Sequence, residues 1–145
     1  MLPEQNAELV RQWFAAWNAH DADGISRLAT PDFVRHDPNS PEVHGPQGER
    51  QLASMLFGAL PDMEFTLEDM VAASDRVAVR FVARATHRGE LMGIPATGKR
   101  LSFSGMELYR VVGEKVAEQW VGVDMLGILQ QLGVVPVAEQ ASTRG

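Results

Sequence analysis

The change of hydrophobic period at Met63 is the feature that most restricts how this chain folds. Before it, apolar residues recur with a period near 3.6, which is typical of amphipathic helices. The clearest stripe is Leu9, Val10, Trp13, Phe14 and Trp17. After Met63, β-branched and aromatic residues alternate with a period of 2, in runs separated by turn residues. Helices followed by strands favour an α+β domain, with helices covering one face of an antiparallel sheet.

The same patterns give approximate element boundaries. Helices are predicted near 4–19, after a cap at Asp23, near 52–60 and over 125–132. Residues 33–38 form a brief extended piece, and 37–46, with three prolines, form a loop. Strands are predicted near 63–73, 76–88, 99–112 and 115–124. We expect one domain over residues 1–136 and a flexible polar tail over residues 137–145.

Composition excludes several classes of site and partner. The 145 residues include no cysteine, which rules out disulfides, thiolate nucleophiles and cysteine-ligated metals. A net charge of −6 without a basic run argues against nucleic-acid binding. The N-terminal residues lack the pattern of a secretory signal, and no apolar run is long enough to cross a membrane. A cytoplasmic protein without a membrane partner is therefore expected.

The strand predicted over 76–88 directs one polar residue towards the core. Val77, Val79 and Phe81 begin an apolar face, and His87 continues that face at its far end. A buried imidazole needs a partner, because an unpaired polar group costs about 1–3 kcal/mol. His87 is therefore either a core-edge histidine bonded to backbone or a group that meets a ligand.

The last predicted strand ends in a carboxylate. We expect Trp120 to point inward, because a large aromatic side chain suits the core better than its neighbour Gln119. That choice places Asp124 at the end of the inward row, where it could serve as an acid or a base. Asp124 could equally be the N-cap of the final helix, and one residue can do both.

His36 and Asp37 open the long loop and are further candidates. Loops carried by a rigid scaffold often hold functional residues, although Asp37-Pro38-Asn39 is also ordinary turn chemistry. The four histidines lack the spacing of a metal site, so no metal is expected.

The ordered motifs resemble the SnoaL-like polyketide cyclase family over about residues 5–135. They comprise Phe33–Pro38, Asp75–Arg80, Thr86–Gly89, Gly93–Gly98, Gln119-Trp120 and Gln131–Gly133. The resemblance implies the nuclear transport factor 2-like fold, a cone-shaped, curved antiparallel sheet covered by the N-terminal helices. It also implies a homodimer or higher oligomer that pairs through the sheet.

For the reaction, the resemblance implies an intramolecular aldol ring closure or isomerisation of a polyketide-like small molecule, without metal or other cofactor. Asp124 matches the family's catalytic aspartate and would act as general acid and base. His36 and His87 would then donate hydrogen bonds to the developing enolate. The residues expected to contact a hydrophobic or aromatic substrate are Trp13, Trp17, Asp37, Phe81, Met106 and Trp120.

Two other functions stay open at this stage. One is an epoxide-opening hydrolase or cyclase, which resembles a sister group with an Asp-Arg-Asp arrangement; the strand over 76–88 has no arginine and aspartate two residues apart, which counts against it. The other is a non-catalytic module for ligand binding or dimerisation, favoured if Asp124 is exposed and caps a helix away from any cavity.

Overall fold

The structure, a computed structural model, describes residues 2–137. Its helices are α1 Pro3–Asn18, α2 Ala22–Arg27, α3 Gly45–Ala59 and α4 Met125–Gln131. Its strands are β1 Ala29–Asp37, β2 Ser40–His44, β3 Glu64–Ala73, β4 Arg76–Thr86, β5 Arg100–Val112 and β6 Lys115–Val123. The predicted tail lies outside the described residues, apart from Val137. No helix within residues 2–137 is long and apolar enough to cross a membrane.

The six strands form one curved sheet in the order β2-β1-β6-β5-β4-β3. Four of the five neighbouring pairs are antiparallel, and three of these join strands that the sequence predicts, β3 to β4, β4 to β5 and β5 to β6. The pair β1 and β6 is parallel, which the prediction of an antiparallel sheet missed. This pair joins the strand that follows the first two helices to the last strand, so Arg35 lies beside Gln119.

The N-terminal half contains the largest departures from the predicted elements. Residues 40–44, expected in a loop, form edge strand β2, where Pro41 is tolerated because an edge strand need not donate from every residue. Helix α3 begins earlier than expected, after a left-handed turn at Gly45 (φ 73°) and with Pro46 in its first turn. The cap of α2 is Asp21, whose side chain accepts a hydrogen bond from the Gly24 backbone N–H, and not Asp23.

Helices and sheet enclose an aromatic core. On α1, Trp13 and Phe14 each pack edge-on against Tyr109 of β5, with ring centroids 6.1 Å apart. Phe14 also contacts Phe65 and Phe81 on the inner face of the sheet. Aromatic pairs of this kind add about 0.5–1.5 kcal/mol beyond the area they bury. They fix α1 over the sheet and leave a cavity beside it.

The two faces of β6 are the reverse of the prediction. Ala117, Gln119 and Val121 are buried on the inner face, whereas Trp120 is only half-buried and lies on the outer face. The expected inward orientation of Trp120 is wrong because Gln119 finds hydrogen-bond partners inside, so its burial carries little penalty.

Candidate active site

A cavity of about 620 Å³ lies between the helices and the inner face of the sheet. Its volume falls within the range of small-molecule sites. Most of the wall is apolar and aromatic, including Trp13, Phe14, Trp17, Leu56, Phe81 and Phe103. The polar groups on the wall include Arg35, Glu107, Tyr109 and Gln119, which come from three adjacent strands.

Strand register brings these polar groups together. Arg35 of β1 lies opposite Gln119 of β6, which in turn lies opposite Tyr109 of β5. Glu107 is two residues before Tyr109 and therefore on the same face of β5. The side chains of Arg35, Gln119 and Tyr109 thus form a row across the inner face, and the Glu107 carboxylate lies next to this row.

The Glu107 carboxylate is held by one of its two oxygens. Tyr109 donates its hydroxyl to Oε1 at 2.5 Å, and Gln119 donates from Nε2 to the same oxygen at 3.1 Å. Gln119 Nε2 also lies 3.1 Å from the Tyr109 hydroxyl oxygen. Within residues 2–137, Oε2 of Glu107 accepts no hydrogen bond, although Glu107 lies on the cavity wall. One oxygen is therefore fixed and the other is available to a ligand.

Arg35 connects this cluster to a second buried carboxyl. Its Nη1 donates to Oε1 of Gln119 at 3.3 Å and to Oε2 of Glu49, on α3, at 3.4 Å. Nε and Nη2 of Arg35 bond to no other group of residues 2–137. Because Arg35 lies on the cavity wall, these two donors can reach a ligand oxygen.

Burial shifts the protonation of both carboxyls. It raises the pKa of Glu49 to about 7, against the opposing charge of Arg35 and with a smaller contribution from the Glu107 charge. Burial also raises the pKa of Glu107, opposed by Arg35 and by hydrogen bonds from Tyr109 and Gln119. A carboxylate whose pKa is raised towards neutrality is a better general base than an exposed one.

Four of the residues predicted to bind substrate lie on the cavity wall. Trp13, Trp17 and Phe81 belong to its aromatic part, and Asp37 lies further along β1 from Arg35. Their contact with a substrate remains a prediction.

Asp124 lies elsewhere. It is exposed and caps α4, since its Oδ1 accepts a hydrogen bond from the Gly127 backbone N–H at 3.0 Å. Its neighbours Val123 and Met125 lie on the cavity wall, but Asp124 does not. Of the two roles the sequence left open, the geometry supports the helix cap.

His36 and Trp120 belong to the outer face of the sheet. The His36 ring lies between Glu42 (2.8 Å) and Glu118 (2.6 Å) and stacks on Trp120. Hydrogen bonding to Glu118 raises the pKa of His36. The guanidinium of Arg76 lies 5.2 Å from the centre of the Trp120 ring. This arrangement is an exposed electrostatic cluster, and neither His36 nor Trp120 contacts the cavity.

His87 and Met106 also lie off the cavity wall. His87 is fully buried, as predicted, although β4 ends one residue before it, and its Nδ1 accepts a hydrogen bond from the Thr97 backbone N–H at 3.2 Å. Met106 is 65% exposed on the outer face, because successive side chains of β5 point to opposite faces of the sheet and Glu107 points to the inner one. The expected convergence of Asp124, His36 and His87 on one pocket is therefore wrong.

The polar cluster itself was missed from the sequence. Strand β5 carried a signal, because Leu101, Phe103, Glu107, Tyr109 and Val111 share one face and Glu107 is the charged residue on it. Arg35 and Glu49 gave no such signal, since their contacts join different elements: Glu49 lies 14 residues after Arg35, and Gln119 lies 84 residues after it.

Comparison with known proteins identifies the family of this chain. The SnoaL-like polyketide cyclase profile matches residues 7–132, almost the whole described chain. The chain belongs to the SnoaL-like polyketide cyclase family.

Two relatives of this chain are named as methyl ester cyclases. The aklanonic acid methyl ester cyclase DauD of Streptomyces sp. (strain C5) is 28% identical over 130 residues, covering 87% of this chain and 80% of that protein. The nogalonic acid methyl ester cyclase of Streptomyces nogalater is 28% identical over 123 residues, covering 82% and 90%.

A solved structure, AclR of Streptomyces galilaeus, is assigned as a hydroxylase. It is 32% identical to this chain, with a TM-score of 0.86, and the match covers 99% of this chain and 90% of AclR. The SnoaL-like fold is thus shared along nearly the full length.

Within residues 2–137, no group of three or more His, Cys, Asp or Glu side chains is arranged to hold a metal ion.

Proposed function

We propose that this SnoaL-like chain closes a ring in a polyketide-like small molecule by an intramolecular aldol reaction, with Glu107 as general base. One observation carries the assignment: a buried carboxylate with one unbonded oxygen lies on the wall of a mostly apolar cavity. Two relatives named as ester cyclases of the same family support the reaction class.

In the proposed reaction, Oε2 of Glu107 removes a proton from a carbon flanked by carbonyl groups. The resulting enolate carbon attacks a ketone carbon of the same molecule, so that one C–C bond forms and the ketone oxygen becomes an alkoxide. The protonated Glu107 then returns its proton to that oxygen. Product and substrate are therefore isomers, and Glu107 ends in its starting state.

The remaining groups of the cluster stabilise charge. Nε and Nη2 of Arg35 would donate to the enolate oxygen, where a fixed positive charge acts strongly because the wall is mostly apolar. Tyr109 and Gln119 keep Glu107 in one orientation. Since Arg35 supplies the positive charge, we propose that the reaction needs no metal or organic cofactor.

The cavity suits a flat, hydrophobic substrate. Aromatic side chains on α1 and β4 lie side by side on the wall, where they can hold fused rings by apolar contact. The polar cluster then fixes which end of the molecule reacts.

Aklanonic acid methyl ester is the first substrate to test. We expect the purified chain to convert it, or nogalonic acid methyl ester, to a product of unchanged mass, measured by liquid chromatography with mass detection. EDTA should leave the rate unchanged. A product one oxygen atom heavier would indicate hydroxylation, and binding without turnover of either ester would contradict the proposed reaction.

We also infer that a second copy of the chain covers the outer face of the sheet. Val71 and Met106 are exposed apolar residues on that face, which also carries the half-buried Trp120, and no described helix covers them. A cytoplasmic location stays a prediction from the sequence.

Light scattering after gel filtration tests the second-copy proposal. We expect a dimer or higher oligomer for the unmodified chain and a shift towards monomer for Met106→Glu, because a buried unpaired carboxylate is costly. Leu126→Glu, a matched change at an exposed apolar residue of α4, should leave the assembly intact. A monomeric unmodified chain at micromolar concentration would contradict the proposal.

A further inference from the structure

Glu49 is a buried carboxyl for which the proposed reaction has no direct use. Its side chain is fully buried on α3 and does not lie on the cavity wall. Oε2 accepts from Arg35, whereas Oε1 has no hydrogen-bond partner within residues 2–137. A buried carboxyl with an unbonded oxygen costs stability, so its presence next to a site group calls for a functional reason.

Glu49 is positioned to act on the site through its contact with Arg35. Nη1 of Arg35 bonds both Glu49 and Gln119, while Gln119 bonds Glu107. A continuous set of contacts therefore runs from α3 through the guanidinium to the Glu107 carboxylate. Because the interior screens charge poorly, a change of charge at Glu49 is felt by Arg35 and by Glu107.

We propose that Glu49 is a positioning residue that holds Arg35 and, by gaining or losing a proton, sets how much of the guanidinium charge reaches the substrate oxygen. This inference rests on the proposed function, in which Arg35 stabilises the enolate. With Glu49 neutral, Arg35 has no ion-pair partner within residues 2–137 and is linked to Glu107 only through Gln119. With Glu49 ionised, one cation faces two carboxylates, and the developing oxyanion is less stabilised.

Other charged groups packed around α3 do not take over this role. The ones on α2, β1 and β2, besides Arg35, are Asp23, Arg27, Asp32, His36, Asp37, Glu42 and His44. Within residues 2–137 none of them forms a hydrogen bond or an ion pair with Glu49. From β5, the Glu107 charge favours the protonated form of Glu49, as burial does.

The pH profile of ring closure tests the proposal. With aklanonic acid methyl ester as substrate, kcat/KM of the unmodified chain should fall above about pH 7 by roughly tenfold, less than the loss of a whole oxyanion donor. Glu49→Gln should lose this alkaline decline, because the amide stays neutral and can still accept from Arg35.

Controls separate this proposal from the proposed function. Glu114→Gln, at an exposed carboxylate in the turn between β5 and β6, should keep the alkaline decline. An alkaline decline that persists in Glu49→Gln would overturn the role of Glu49. If the variant fails to fold, the unmodified chain still tests the proposal, because the absence of any alkaline decline in that chain would also overturn it. Full activity of Glu107→Gln would instead overturn the proposed function.

Discussion

Glu107→Gln should lower kcat/KM for ring closure by about 10²- to 10⁴-fold, the usual contribution of a general base. The amide cannot take the proton, yet its oxygen can still accept the hydrogen bonds of Tyr109 and Gln119. We therefore expect an unchanged fold and an unchanged cavity. Steady-state kinetics with the methyl ester, together with circular dichroism of the variant, measure both parts of the prediction.

Asp124→Asn is the matched control for this variant. The amide oxygen can still cap α4, and the side chain does not contact the cavity, so kcat/KM should stay within about twofold. Loss of turnover in Asp124→Asn, with Glu107→Gln active, would restore the aspartate that the family resemblance suggested and would exclude Glu107 as the base.

The second large effect concerns stability and pH. The pKa of Glu49 is about 7 in the folded chain, against an ordinary value of 4.5. The folded state therefore binds the proton more tightly, and the stabilisation is complete below about pH 4.5 and lost as pH rises through about 7. Such a difference corresponds to about 3 kcal/mol of unfolding free energy.

Urea unfolding of the unmodified chain and of Glu49→Gln, between pH 4.5 and 8, measures this effect. The stability of the unmodified chain relative to the variant should fall by about 3 kcal/mol over that range, because the amide does not titrate. Comparing the pair removes the contributions of other groups, such as Asp62 and Glu118, whose lowered pKa values act in the opposite direction. Parallel stability curves for the two proteins would show that Glu49 is already ionised when folded.

Local patterns were sufficient to predict most of the fold. Strands β3 to β6 and helix α1 lie within about two residues of their predicted bounds, because alternation and helical stripes reflect burial directly. The edge strand β2 was missed since its side chains are mostly exposed and it contains a proline. The parallel pairing of β1 with β6 is set by tertiary contacts that no local pattern records.

The site was harder to predict than the fold. Aromatic wall residues such as Trp13 and Phe81 followed from the apolar stripes that contain them. The choice between Gln119 and Trp120 failed because hydrophobicity alone ranked them, whereas the hydrogen bonds available inside decided the outcome. The importance of Arg35 and Glu49 depended on distances between three elements, which spacing along the chain does not give.

The parallel pair has a consequence for when activity can arise during folding. Arg35 and Gln119 are 84 residues apart, and their contact closes a long loop. Such contacts form late because closing the loop costs entropy before any interaction repays it. A chain still lacking a docked β6 would have its aromatic wall and the contact of Arg35 with Glu49, but not Gln119, which links the guanidinium to Glu107. It could therefore shelter a hydrophobic molecule without reacting with it. Catalytic activity would thus indicate that the last strand has been added to the sheet.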